Sequence, residues 1–183
     1  MKWLPTWKQI LLLLVTIVTV AADQFTKQLI IKHFAYGESV PVIADYFSLT
    51  YVRNPGAAFG LMAQLDASIR IPFFIAVPFL ALIIIGFVFR KMTEKDFSMA
   101  MALSLIVGGA FGNLIDRVAY GYVIDFLDFH WGLLGPHFPA FNVADMAICV
   151  GVFFLILDIY KKDIQEKQRL KKESTAGDAS GSI

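Results

Sequence analysis

Charged residues are scarce in this chain. Asp, Glu, Lys and Arg make up 17% of its 183 residues and hydrophobic residues 57%, whereas a soluble domain has about 25% charged residues. The formal net charge is only +1, so nothing indicates a nucleic-acid partner. The composition therefore excludes an ordinary soluble domain and predicts a membrane protein.

Cysteine and histidine are nearly absent as well. The single cysteine, Cys149, excludes an intramolecular disulfide framework. It lies inside an apolar run, where we expect it to be a packing residue. Of the three histidines, His130 and His137 are seven residues apart in a segment with Gly and Pro, and His33 is remote. Because catalytic metals need His or Cys ligands at closer spacing, we predict neither a metal nor a cofactor.

Long apolar runs, by contrast, are abundant. A spanning helix needs roughly 20 apolar residues, and the runs approach that length. The first could be a cleavable signal peptide, but its helical pattern continues through Asp23 and Lys27, so we expect a retained helix. The sequence predicts an all-α membrane protein with a domain over residues 1–160 and transmembrane helices at about 10–31, 71–89, 97–115 and 143–160.

The basic residues are distributed unevenly between the two sides of the predicted bundle. Cytoplasmic segments carry an excess of Lys and Arg, so both termini are expected in the cytoplasm. Residues 161–183 end in small polar residues, which predicts a flexible cytoplasmic tail. The side that carries both termini holds eleven basic residues: Lys2, Lys8, Arg90, Lys91, Lys95, Lys161, Lys162, Lys167, Arg169, Lys171 and Lys172. The opposite side holds five: Lys27, Lys32, Arg53, Arg70 and Arg117.

The first outer loop, residues 32–70, contains the stretch YFSLTYVRNPGAAFG. Alternating apolar and polar residues followed by Asn-Pro-Gly predict short strands and a turn. The sequence thus predicts a small β-containing extracytoplasmic loop. Two uses stay open: strand edges that pair with an extended peptide, or a hairpin that caps the helix bundle.

The second outer loop, residues 116–142, concentrates acids among aromatic residues typical of a membrane interface. Asp116, Asp125 and Asp128 lie in it, and Asp145 follows at the start of the last span. We expect a carboxylate-rich site at this outer face. Two converging carboxylates that share one proton can activate water and polarise a peptide carbonyl.

Other chemistries fit less well. A Ser-Lys hydrolase would use Lys27 with Ser39 or Ser48, but Lys27 lies four residues after Asp23, a spacing that favours an ion pair. Cys149 has no histidine in its own stretch to activate it. Neither is a strong candidate nucleophile.

Structural roles for the acids stay open alongside catalysis. Asn142 is suited to cap the fourth helix, with Asp145 at its third position, where a carboxylate favours the helix dipole. Asp116 could pair with Arg117, and Asp128 could be solvated. Spacing alone selects no pair of acids.

Five motifs carry a resemblance to a known family. They are DQFTK (23–27), RNPGAAFG (53–60), GGAFGNLIDR (108–117), VIDFLDF (123–129) and FPAFNVAD (138–145). Together, over about residues 10–160, they resemble the bacterial lipoprotein signal peptidases, or signal peptidase II. The resemblance implies an inner-membrane aspartic endopeptidase that removes the signal peptide from prolipoproteins, just before a cysteine that carries diacylglycerol.

The same resemblance implies roles for individual residues. It places the catalytic dyad at Asp125 and Asp145, facing outward, and implies membrane lipid and diacylglyceryl-modified prolipoprotein as partners. A small transporter or assembly factor is the rival class, but its acids would lie at mid-membrane rather than gathered at one end. A peptidase acting on other membrane peptides is a third alternative. The supporting or substrate-binding residues would be Asp23, Lys27, Asn54, Asn113, Asp116, Arg117 and Asn142.

Overall fold

The computed structural model describes residues 6–56, 66–93, 96–132 and 135–180. Lys2, Lys95 and residues 57–60 of the RNPGAAFG motif lie outside the described residues. The elements in chain order are α1 (Trp7–His33), β1 (Ser39–Ile43), β2 (Phe47–Asn54), α2 (Ala67–Lys91), α3 (Phe97–Tyr120), β3 (Val123–Phe129) and α4 (Val143–Ser180).

Within the described ranges, four helices are long and apolar enough to cross a membrane. They are the four predicted spans, and the accompanying sheet has three strands. The predicted architecture, a four-helix membrane protein with a small β-containing loop, is confirmed. The helices extend beyond the apolar runs: α1 continues to His33 and α3 to Tyr120. Gly121, with φ of 76°, ends α3 and turns the chain into β3.

Helix α3 is central and packs between α1 and α4. Its buried face includes several small residues, which let neighbouring backbones approach closely; they are Ala100, Ala102, Ser104, Gly108, Gly109 and Gly112. A Cβ atom added at Gly112 would lie 2.6 Å from the Asp23 carboxylate of α1 and 3.1 Å from the Ala144 side chain of α4. A residue larger than glycine at this position would therefore push α1 and α4 away from α3.

The sheet has the strand order β1-β2-β3, and both pairs are antiparallel. It packs on the last turns of α1 through a core of Ile30, Tyr51, Ile124 and Phe126. The hairpin therefore caps one end of the bundle, called here the sheet end, where α1 and α3 end and α2 and α4 begin. The edge of β3 is partly covered by an antiparallel bridge from Leu127 to Phe141, so β1 carries the open edge.

Helix α4 continues to Ser180 and so extends into the segment for which the sequence predicts a flexible tail; the flexibility itself stays a prediction. Ion pairs spaced four residues apart stabilise helical conformation, and two occur here. Lys162 Nζ lies 2.8 Å from Asp158 and Lys167 Nζ lies 2.7 Å from Asp163. Lys162 also contacts Asp96 at 2.6 Å, which ties α4 to the turn between α2 and α3.

Candidate active site

A cavity of about 340 Å³ opens at the sheet end of the bundle. Five elements meet there: the end of β2, the first half of α2, the middle of β3, the last turns of α3 and the first turn of α4. Asp125 and Asp145 both line it. The other lining residues are Asn54, Gly56, Phe74, Arg117, Phe138, Pro139, Ala140 and Phe141.

Asp125 is the more buried of the two carboxylates, with 2% of its surface exposed. Asn54 Nδ2 donates to its Oδ2 at 2.9 Å, and Asn142 Nδ2 donates to its Oδ1 at 2.7 Å. Burial, with a smaller contribution from the neighbouring Asp145 charge, raises the pKa of Asp125 to about 7. This carboxyl can therefore hold a proton near neutral pH.

Asp145 is held at the beginning of α4 by a reciprocal cap. The Asn142 backbone N–H donates to Asp145 Oδ2 at 3.2 Å, while the Asp145 backbone N–H donates to Asn142 Oδ1 at 2.9 Å. Asn113 Nδ2 donates to Asp145 Oδ1 at 2.7 Å. The capping role considered for Asn142 and Asp145 is thus present, and the same Asp145 carboxylate also lines the cavity.

Two asparagines connect the carboxylates. Asn142 Nδ2, besides contacting Asp125, lies 3.1 Å from Asn113 Oδ1, and Asn113 in turn donates to Asp145. Asn142 is fully buried and Asn113 is 5% exposed. Side-chain amides buried in this way have defined hydrogen-bonding partners, so they hold both carboxylates in one orientation.

A buried ion cluster lies next to this network. Lys27 is fully buried, and its Nζ lies 2.8 Å from Asp23 Oδ2, 2.8 Å from Asp116 Oδ2 and 2.9 Å from Asn113 Oδ1. The Asp23–Lys27 pair expected from spacing is present. Asp116 pairs with Lys27 rather than with Arg117, the partner considered from the sequence.

The cluster also bonds the backbone that carries the site. Asp23 Oδ1 accepts from the Ala144 N–H at 2.9 Å, and Asp116 Oδ2 accepts from the Ile124 N–H at 3.1 Å. Ala144 and Ile124 each directly precede one cavity carboxylate in the chain. Asp23 and Asp116 thus position neighbouring backbone, and neither lines the cavity.

Arg117 contributes positive charge to the cavity wall. Its guanidinium lies 5.7 Å from the centre of the Phe74 ring, and Nη1 donates to the Asn113 carbonyl at 3.4 Å. Its Nε is buried, and within the described residues it has no hydrogen-bond partner. Arg117 therefore has donor capacity available beside the two acids.

The residues considered for other chemistries are engaged elsewhere. All Lys27 contacts given above are to acids and an asparagine, while Ser39 bonds Thr50 at 2.7 Å and Ser48 bonds His130 at 3.1 Å. This geometry offers no Ser-Lys pair. Cys149 is exposed on α4, so its predicted role as a packing residue is wrong.

Asp128 is not solvated, contrary to one interpretation of the sequence. It is 8% exposed, and its Oδ1 lies 3.0 Å from His137 Nδ1. The His137 ring stacks on His130 with centroids 5.0 Å apart. Sequence analysis missed this cluster because its members meet only through the pairing of β2, β3 and residue 137. Across the described part of the chain, no group of three His, Cys, Asp or Glu side chains could hold a metal ion.

The chain is similar to known proteins over most of its length. The family model for signal peptidase (SPase) II covers residues 15–161. The lipoprotein signal peptidase of Syntrophotalea carbinolica is 46% identical over 159 residues, 87% of this chain and 96% of that protein. That of Geobacter metallireducens is 47% identical over 161 residues, 88% of this chain and 94% of that protein.

A solved structure shares the fold. It is a bacterial membrane enzyme determined by the in meso method, 35% identical, with a TM-score of 0.72 over 83% of this chain and 88% of that one. The sequence matches and the structural match cover nearly the same share of the chain. The chain therefore belongs to the signal peptidase II family of membrane peptidases.

Proposed function

We propose that this protein is an aspartic endopeptidase and that Asp125 and Asp145 are its catalytic dyad. The observation that carries the proposal is that these two carboxylates line one cavity and are joined through Asn142 and Asn113. The other acids of the family motifs at this end have partners of their own: Asp23 and Asp116 pair with Lys27, and Asp128 pairs with His137.

The different surroundings of the two acids support different roles. Asp145 accepts two N–H donors at the N-terminus of α4 and is the less buried of the two acids. Asp125, with its raised pKa, carries the shared proton. Asp145 is the general base and Asp125 the general acid.

The reaction proceeds by attack of water on the scissile carbonyl. Asp145 takes a proton from water while the water oxygen bonds to the carbonyl carbon. Asp125 donates its proton to the carbonyl oxygen. In the second step a hydroxyl of the tetrahedral intermediate returns a proton to Asp125. Asp145 then delivers its proton to the leaving nitrogen as the C–N bond breaks, which restores both acids.

The surrounding polar residues position this chemistry. Asn54, Asn113 and Asn142 orient the carboxylates through the bonds described above, and Arg117 offers N–H donors to substrate carbonyl groups. The ion cluster stabilises the backbone next to the dyad; its members are Asp23, Lys27 and Asp116. Preorganised support of this kind keeps catalytic groups within the narrow geometry that they require.

The substrate that we propose is a diacylglyceryl-modified prolipoprotein, cleaved just before the lipidated cysteine. Its support is the description of the relatives as lipoprotein signal peptidases and the position of the cavity at one end of the spanning helices. We place the protein in the bacterial inner membrane among membrane lipid. Both termini are cytoplasmic and the cavity faces outward, because most Lys and Arg residues lie on the side that carries the termini.

A cleavage assay tests the proposal. Purified protein in detergent should release the signal peptide from a synthetic diacylglyceryl precursor, with the new N-terminus at the modified cysteine. The same precursor without lipid should be a poor substrate, because the acyl chains add apolar contact that the peptide lacks. Equal cleavage of both forms would indicate a general signal peptidase, and no cleavage of either would favour a non-catalytic membrane protein.

A further inference from the structure

A second cavity, of about 370 Å³, adjoins the first. Its lining consists of Tyr46, Phe129, His130, Trp131, Phe138 and Phe141, and we call it the aromatic cleft. Phe138 and Phe141 line both cavities. The cleft thus lies next to the candidate active site, and the two cavities share a wall of two phenylalanines.

The cleft is built by ordered aromatic contacts, yet much of it is uncovered. The Phe129 ring lies 4.8 Å from Phe47 and stacks on Phe141 at 5.8 Å with an interplanar angle of 11°, and Phe138 meets Phe141 edge-on at 5.9 Å. The exposed fraction is 43% for Phe129 and 62% for Trp131. An exposed apolar surface that continues an active site indicates a ligand contact.

The backbone around the cleft is already hydrogen-bonded. The Phe138 N–H donates to the Phe129 carbonyl at 2.7 Å, the Leu127 N–H to the Phe141 carbonyl at 2.8 Å, and the Phe141 N–H back to Leu127 at 3.1 Å. An extended peptide cannot add a strand where the edge is paired. No Asp, Glu, Lys or Arg from the described residues lines the cleft. Its occupant therefore makes few hydrogen bonds.

We infer that the aromatic cleft binds an acyl chain of the diacylglyceryl group while the adjoining peptide bond lies at Asp125 and Asp145. The inference rests on the proposed function. In such a substrate the lipid is attached to the residue directly after the scissile bond, so its chains must begin beside the dyad. The cleft is an apolar cavity directly beside the dyad cavity, which meets this requirement.

Fluorescence quenching tests occupancy directly. Trp131 can be made the sole tryptophan by Trp3→Phe and Trp7→Phe, since the chain has three, and Asp125→Asn prevents turnover. In detergent micelles, a peptide carrying brominated diacylglyceryl chains should quench Trp131 more strongly than a brominated phospholipid at equal bromine content. Equal quenching by the two would overturn the inference and identify Trp131 as a membrane anchor, a common role for interfacial tryptophan.

Kinetics provide the second test. Trp131→Ala and Tyr46→Ala should raise KM for the diacylglyceryl precursor by about three- to tenfold, as expected for a lost aromatic contact, and leave kcat nearly unchanged. Ile43→Ala is the matched control, because Ile43 is 56% exposed on the same sheet but lies outside the cleft. If both cleft variants kept the wild-type KM, the inference would be wrong. If wild-type protein cleaved no lipidated precursor, the proposed function would fail instead, and quenching would still report whether the cleft binds the chain.

Discussion

Asn113 links the buried Lys27 to the cavity carboxylate Asp145. Its Oδ1 accepts from Lys27 Nζ at 2.9 Å, and its Nδ2 donates to Asp145 Oδ1 at 2.7 Å. Because Lys27 has donors only, it fixes which end of the Asn113 amide points toward Asp145. The ion cluster therefore orients the site as well as holding the helices together.

The first prediction concerns this cluster. Lys27→Met keeps the length of the side chain but leaves Asp23 and Asp116 buried without their cation. Removing one partner of a buried ion pair costs about 3–5 kcal/mol, so thermal unfolding in detergent should occur at a markedly lower temperature. Lys167→Met is the control, because Lys167 pairs with Asp163 on an exposed helix surface and should cause little change. Equal unfolding temperatures for the two variants would contradict the proposed role of Lys27.

The second prediction separates two roles of Asn142. Asn142→Ala loses both the helix cap and the donor to Asp125, so stability should fall by about 1 kcal/mol and turnover should decrease. Asn142→Ser keeps a capping oxygen but has no amide nitrogen to donate to Asp125. We expect the Asn142→Ser variant to have near-normal stability and reduced turnover. Full activity in the Ser variant would show that Asn142 acts only as a cap.

The third prediction concerns the dyad. Asp125→Asn and Asp145→Asn should each fold and nearly abolish cleavage, and the double variant should be scarcely worse, because the two groups act as a unit. Chelators should have no effect. Asp128→Asn is the control, since Asp128 is buried beside His137 and does not line the cavity. Loss of cleavage in Asp116→Asn with activity retained in Asp125→Asn would reassign the pair to Asp116 and Asp145.

The fourth prediction follows from the raised pKa of Asp125, about 7. Cleavage should fall as pH rises through about 7, because Asp125 loses the proton that it donates, and should fall again in acid, where the pair gains a second proton. The apparent values belong to the pair. A rate independent of pH between 5 and 9, measured with chemistry limiting, would contradict this assignment.

The fifth prediction is that the stability of the protein, like its cleavage rate, decreases as pH rises. The folded protein holds the Asp125 proton more tightly than the unfolded chain, whose carboxyl has its ordinary pKa of 3.8. The free energy of unfolding should therefore decrease as pH rises from about 4 to about 7, by about 3–4 kcal/mol from this group. Asp125→Asn should lack that decrease and be more stable than wild type at pH 8. The same slope in both proteins would contradict burial of a protonated Asp125.

Much of the fold could be predicted from the sequence because it depends on local physical properties. Apolar length alone identifies the four spanning helices, since each must satisfy its backbone hydrogen bonds within itself. Alternation and the following Asn-Pro-Gly similarly predicted β2 and its end at Asn54, whereas β3 was not predicted. The continuation of α4 beyond residue 160 was not predicted, because composition alone does not register the ion pairs of Lys162 and Lys167, which favour helix.

The sequence by itself determined where the candidate site lies. Its acids gather at one end of the spanning helices, in motifs that resemble signal peptidase II. Only the tertiary structure decided which acids face a cavity. Asp116 and Asp125 are nine residues apart, but α3 directs Asp116 toward Lys27 of α1, whereas β3 directs Asp125 into the cavity beside Asp145. The physical reason is that a buried cation must be neutralised by whichever carboxylates packing brings within reach, and no local pattern encodes that choice.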